Sequence, residues 1–282
     1  MRLKTTLLAV MTALLGATAA YALPESIGIS DPVTENAVEI KSFLKLLLII
    51  ISAIVIFVAV LMAYIMVRFR EKANPEPSTT THNTLIEVIW TVVPVLILLA
   101  LVSPSFKALF NQDIIKDTEL TVKVTGDTWL WKYSYPEFED SIDEIVSLPL
   151  NSEEAAAAGK PFLLAADKAL VVPSATRVKL RITSNNNLHS FSVDPFGIKM
   201  DAIPGIINET WFEVFEGREG TYYGQCAELC GINHYYMPIE IKVVTRDEFD
   251  QWVANGGRFS TDMADNQAVT EFSGAPATAA KE

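Results

Sequence analysis

The chain has 282 residues, half of them apolar, and a formal net charge of −12. That acidity excludes a nucleic-acid binder held by basic surface and favours a basic protein partner, whose encounter it would speed. A mean hydropathy of +0.27 is too apolar for an ordinary soluble domain and too polar for a wholly embedded chain, so a membrane anchor carrying one soluble domain is expected.

Residues 1–22 read as a cleaved signal peptide. Arg2 and Lys4 precede the apolar run Leu7–Leu15, and Ala20-Tyr21-Ala22 supplies a small-residue cleavage signal. The competing reading, a third span, is disfavoured because an apolar core of about ten residues is short for crossing. Residues 23–42 are expected as an exposed N-terminal segment on the outer side of the membrane.

Residues 43–110 predict a transmembrane hairpin. Leu46–Val67 and Val88–Phe106 are uncharged, and about twenty apolar residues span a hydrocarbon core. Pro94 and Pro104 fall in the second span, where membrane helices tolerate them. Arg68, Arg70 and Lys72 follow the first span, so the connecting loop faces the cytoplasm and everything after the second span faces outward. Thr84-x-x-Glu87 reads as a capping box for the second helix.

Residues 111–257 change character. Short β-rich runs at Leu120–Thr125, Thr128–Tyr135, Ala169–Val172, Thr176–Thr183, Ile207–Phe215 and Met237–Val244 are separated by Gly, Pro and Asn, which predicts an all-β sandwich or barrel. Trp129, Trp131, Tyr133 and Tyr135 are spaced by two and are expected on one strand face, as core or interface aromatics. Glu137, Glu139, Asp140, Asp143 and Glu144 form an acidic run that reads by itself as a solvated loop. Ser152–Lys160 reads as a surface insertion without chemistry. Thr245-x-x-Glu248 opens a short closing helix with Phe249, Trp252 and Val253 on one face. Residues 258–282 are polar and Ala-rich and are expected to be disordered.

The chemistry concentrates in Tyr222–Pro238. This stretch holds the chain's two cysteines, Cys226 and Cys230, followed by His234 and Met237. Thiolate, imidazole and thioether are soft or borderline donors that suit copper better than magnesium or calcium. Of the three histidines, His82 lies beside a hydrophobic span, which leaves His189 as the second imidazole. An upstream His with Cys, His and Met from a later loop is the copper pattern of cupredoxins. Two cysteines four apart would allow both sulfurs to bridge two copper ions, with one imidazole on each. Met237 would be a weak ligand to one copper and the Glu228 carbonyl to the other. A disulfide, a structural zinc site, and a single copper with a spare thiol stay open on residue chemistry alone.

His189 followed by Cys226-x-Glu228-x-Cys230-x-x-x-His234-x-x-Met237, after two hydrophobic helices, resembles subunit 2 of haem–copper cytochrome c oxidase. The resemblance runs from about Ile40 to Ala254. It implies a cupredoxin-like domain on a two-helix hairpin in the bacterial inner membrane, with the domain in the periplasm. It further implies a binuclear copper centre (CuA) on His189, Cys226, Glu228, Cys230, His234 and Met237, fed by cytochrome c. Electrons would pass to the haem of subunit 1, where oxygen is reduced and protons are translocated; subunit 3 is a further expected partner. Trp129 would be the electron entry point, Glu87 the mouth of a proton-uptake channel, and Glu228 a ligand to a magnesium ion shared with subunit 1. The acids at 137–144 become an expected docking surface for cytochrome c. Leu130, Asn186 and Ile206 depart from the family pattern, which commonly has an aromatic, an acid and an arginine there. A quinol-oxidase relative would lack the metal ligands. A non-redox scaffold or copper-trafficking module with a zinc or disulfide site is the remaining alternative.

Overall fold

A computed structural model describes residues 30–115 and 117–259. The expected signal peptide and nearly all of the expected tail lie outside the described residues.

Two long helices form the hairpin: α1 at Glu35–Arg68 and α2 at Thr84–Asp113. Both outrun the apolar cores read from sequence. Their mid-span residues, such as Phe57 and Leu98, are exposed within this chain, so the solvent for these surfaces is lipid or another subunit. Pro94 and Pro104 both lie inside α2. The cap of α2 sits one residue earlier than the sequence predicts. Asn83 Oδ1 accepts from the amides of Leu85 and Ile86, and Glu87 Oε1 accepts from the Asn83 amide at 3.1 Å. Asn is at least as good a cap as Thr, and its carbonyl oxygen reaches both orphan donors.

The rest is a sandwich of two five-stranded sheets. The first holds β1 (Leu120–Asp127), β2 (Leu130–Ser134), β3 (Ile145–Ser147), β5 (Arg177–Ser184) and β8 (Asn208–Glu213), in the order β3-β2-β1-β5-β8. The second holds β4 (Leu170–Pro173), β6 (His189–Val193), β7 (Ile198–Ala202), β9 (Gly220–Cys226) and β10 (Pro238–Val244), in the order β4-β10-β9-β6-β7. β1 with β5 and β4 with β10 are parallel, and the other neighbours are antiparallel. The facing sides bury Val122, Val124, Leu180, Ile182, Phe191, Ile239 and Ile241. Alternation along β5 is strict, buried residues falling at every second position, which is why that strand was readable.

The aromatic row divides. Trp131, Tyr133 and Tyr135 are fully buried. Tyr135 Oη donates to the Val171 carbonyl at 2.7 Å and accepts from the Val171 amide at 3.0 Å, which ties the loop after β2 to edge strand β4. Trp129 precedes β2 and is only partly buried.

Hairpin and sandwich meet through backbone. The Val33 amide donates to the Pro195 carbonyl, the Phe215 amide to the Val33 carbonyl, and Gln112 Nε2 to the Gly197 carbonyl at 2.8 Å. Thr34 Oγ1 donates to the Phe196 carbonyl and accepts from the Ala37 amide, capping α1 while docking it. The expected exposed N-terminal segment is therefore corrected in part: Val33, Thr34, Asn36 and Ala37 are buried. Gly197 has φ +68°, and a Cβ there would lie 2.8 Å from the Ala37 nitrogen. Only glycine permits that approach.

Two further readings change. The insertion forms the short helix α3 (Ser152–Ala157), but Lys160 beyond it does have chemistry. Its Nζ lies 2.7 Å from Glu240 Oε1, and Glu240 is buried with its other oxygen on the Ala166 amide. The closing helix α4 (Arg246–Ala254) has the expected Thr245–Glu248 box. Ordered packing reaches Phe259, over whose ring Lys242 Nζ sits at 3.5 Å, one residue past the expected start of disorder.

Candidate metal centre

The β9–β10 hairpin carries the Cys-rich loop. The Cys226 amide donates to the Met237 carbonyl and closes the loop base, while the Ala227 amide donates to Ser190 on the neighbouring strand. β6 pairs with β9 in the register Phe191↔Cys226. His189, two residues before Phe191 and on the same face by alternation, is thereby brought to the cysteine although 37 positions separate them.

The donors converge. Cys226 Sγ lies 3.8 Å from Cys230 Sγ, 3.9 Å from His189 Nδ1 and 3.4 Å from the Glu228 carbonyl. Cys230 Sγ lies 3.6 Å from His234 Nδ1 and 3.9 Å from Met237 Sδ. Both cysteines are free and buried, and Met237 is 1 % exposed. A disulfide requires an S–S distance of about 2 Å, so these sulfurs are not bonded. The spacings instead fit atoms sharing a metal. Two bonds of about 2.2 Å meeting near the tetrahedral angle set their ends about 3.6 Å apart. Burial, then the neighbouring Cys226, pushes the Cys230 thiol up to about 12, so a bound cation is what would hold it as thiolate. Burial likewise pulls the His189 imidazole toward its neutral, metal-binding form.

Among the described residues, the His, Cys, Asp and Glu donors lying within 4.8 Å of one another are His189, Cys226 and Cys230. His234 stands outside that set and reaches it by Cys230. The pairs His189–Cys226 and Cys230–His234 thus lie on two sides of the sulfur pair.

The surroundings hold the ligands still. A Cβ at Gly126 would meet His189 Cδ2 at 2.9 Å, so the His189 side chain packs directly against the end of β1. Trp131 meets the His189 ring edge-on at a centroid distance of 6.0 Å. Trp129 lies over the loop: its Nε1 donates to the Cys230 carbonyl at 3.2 Å, and its ring occupies the space a Cβ at Gly231 would need.

Other sequence-predicted residues fall elsewhere. Glu228 is exposed between the cysteines, with its backbone carbonyl 3.4 Å from Cys226 Sγ. Glu87 lies at the start of α2, at the opposite end of the hairpin from the sandwich. Glu137, Glu139, Asp140, Asp143 and Glu144 are exposed, and Glu137 sits away from the donors. Glu137 Oε1 accepts from the Thr121 amide near the start of β1. Gly126, at the donor end, is five residues on, or about 17 Å at strand rise. Sequence reasoning missed Asp127, which lies beside the site. Lys132 donates to Asp127 at 2.9 Å and holds this carboxyl down at about 2. The signal was available only as a short polar turn before Trp129.

A membrane-anchored cupredoxin-type sandwich with a buried His/Cys cluster able to hold a metal ion is the class that fold and site define. The family model described as "Cytochrome C oxidase subunit II, periplasmic domain" matches residues 120–244, and "Cytochrome C oxidase subunit II, transmembrane domain" matches 22–108. The chain is 42 % identical over 233 residues to the probable cytochrome c oxidase subunit 2 of Rickettsia felis, covering 83 % of this chain and 72 % of that one. It is 39 % identical to the cytochrome c oxidase subunit 2 of Cereibacter sphaeroides, covering 87 % and 89 %. A crystal structure of the periplasmic domain of subunit II of the Bradyrhizobium japonicum oxidase matches at 39 % identity and a TM-score of 0.45, covering 51 % of this chain and 96 % of that one. The chain belongs to the cytochrome c oxidase subunit 2 family. It is an electron-transfer subunit of a haem–copper oxidase, a multi-pass inner-membrane protein with its β-domain in the periplasm.

Proposed function

We propose that His189, Cys226, Cys230, His234, Met237 and the Glu228 carbonyl hold a binuclear copper centre of the CuA type. The observation that carries this reading is the position of His234. A single tetrahedral ion needs all its donors mutually close, whereas His234 joins the cluster only from the Cys230 side. Two ions sharing both sulfurs use every donor present. When bound, the copper pair supplies one-electron carriage between cytochrome c and the haem of subunit 1.

The protein's own part is to keep the donors fixed as charge changes. Gly126 and Trp131 confine His189, and the Cys226–Met237 backbone bond closes the loop. Trp129, against the Cys230 carbonyl, is the entry point for the electron. Glu137, Glu139, Asp140, Asp143 and Glu144 attract cytochrome c at long range, while closer docking falls to the face around Trp129. The Glu228 carboxylate is free to join a magnesium ion whose other ligands come from subunit 1, a hard-cation role that one carboxylate cannot fill alone. Glu87 caps α2 and serves at the cytoplasmic mouth of proton uptake.

Copper analysis of the full chain in detergent tests the reading. Two coppers per chain are expected, with loss of the pair in Cys226→Ser. One copper, or zinc retained in preference to copper, would move the non-redox scaffold reading to first place.

A further inference from the structure

We infer that Asn186 is a positioning residue that fixes His189 in the tautomer able to bind metal, and that Asp127 aligns Asn186 for this task. The side chain that faces the His189 ring here is a neutral amide, Asn186, so any charge that orients it has to come from somewhere else. The structure supplies it across the turn between β1 and β2. Asn186 Nδ2 donates to Asp127 Oδ1 at 2.6 Å and also reaches Thr128 Oγ1. A carboxylate accepts and never donates when ionised, so the amide NH2 has to face it. That fixes Asn186 Oδ1 on the opposite side. There it accepts from the Asn187 amide at 2.8 Å and lies 3.2 Å from His189 Nε2. Because Oδ1 is an acceptor only, His189 Nε2 has to carry the hydrogen. In a neutral imidazole the lone pair is then on Nδ1, the atom that faces Cys226 Sγ at 3.9 Å.

Asp127 is itself held from three sides. Lys132 Nζ and Asn185 Nδ2 donate to Oδ2, and the Thr128 amide to Oδ1. The chain of dependence runs Lys132, Asp127, Asn186, His189. Hydrogen bonds one step out from a metal-binding His set its tautomer and ring orientation in just this manner. Here the carboxylate acts through an intervening amide.

The inference rests on His189 being a metal ligand. Its readout, however, is taken on the metal-free protein, so it fails separately from the two-copper reading. The full chain in detergent, labelled with 15N at its three histidines, thiols reduced and held near pH 8 so that imidazoles are neutral, reports the His189 tautomer by NMR. The native chain is expected to show Nε2–H alone. Asn186→Ala should give a mixture of both tautomers. Asp127→Ala should give a mixture despite an intact Asn186. An unchanged tautomer in Asn186→Ala, or a single tautomer kept in Asp127→Ala, would overturn the inference.

Discussion

The membrane hairpin and the β-sandwich achieve order in opposite ways. Along α1 and α2 the mid-span apolar residues are exposed, so the helices depend on lipid and partner subunits for their packing. The sandwich buries its own core and ties its edge strand β4 inward, Tyr135 bridging both polar groups of Val171. Electron transfer explains the contrast. A redox site needs donors that do not shift, which only a self-sufficient core provides, whereas an anchor needs a surface to share. The two regions are joined at a small patch, Val33–Ala37 against Pro195–Gly197 and Phe215.

The largest effect is expected from breaking that joint. Gly197→Val sets a branched side chain at positive φ against the Ala37 backbone and should cost about 3 kcal/mol at the interface. Hydrogen exchange should rise at residues 33–37 while copper binding persists. Next, Lys160→Met strands the buried Glu240 carboxylate. A fully buried broken pair costs about 3–5 kcal/mol; with the Lys160 side chain 30 % exposed, about 2 kcal/mol is expected. The loss should appear in denaturant unfolding of the sandwich and leave the hairpin in the membrane. Tyr135→Phe removes the hydroxyl that serves two buried backbone groups and should cost about 1–2 kcal/mol by the same measurement.

The smallest effect concerns pH. The Asp127 pKa is lowered from 3.8 to about 2, with the Lys132 bond as the first cause. Its contribution is therefore present above the unfolded value and is lost as pH falls through the folded one. The native chain should be more stable than Asp127→Asn near pH 5, and the difference should shrink toward pH 2. A difference that grows on acidification would contradict the assignment.

The hairpin was legible because lipid imposes a simple rule on composition, and β5 because its alternation is strict. β3, β6, β7 and β9 were not read as strands. β6 is buried on nearly every residue and so shows no period of two, while β9 contains Gly220 and Gly224. Gly224 is needed there because a Cβ would collide with the Ser192 carbonyl of β6. The proposed copper ligands stood out because five of the six, four soft donors and a carbonyl between them, fall within one loop. Asn186 and Asp127 are ordinary surface residues 59 positions apart, and their partnership exists only in the folded turn. The charge of the acidic run is plain in sequence, but the distance of Glu137 from the donors is set by the direction of β1.

Electron paramagnetic resonance of the copper-loaded full chain tests the central claim most directly. One unpaired electron shared equally by two copper nuclei is the predicted spectrum, since both sulfurs lie between the two imidazoles. A hyperfine pattern from a single copper nucleus would contradict the account.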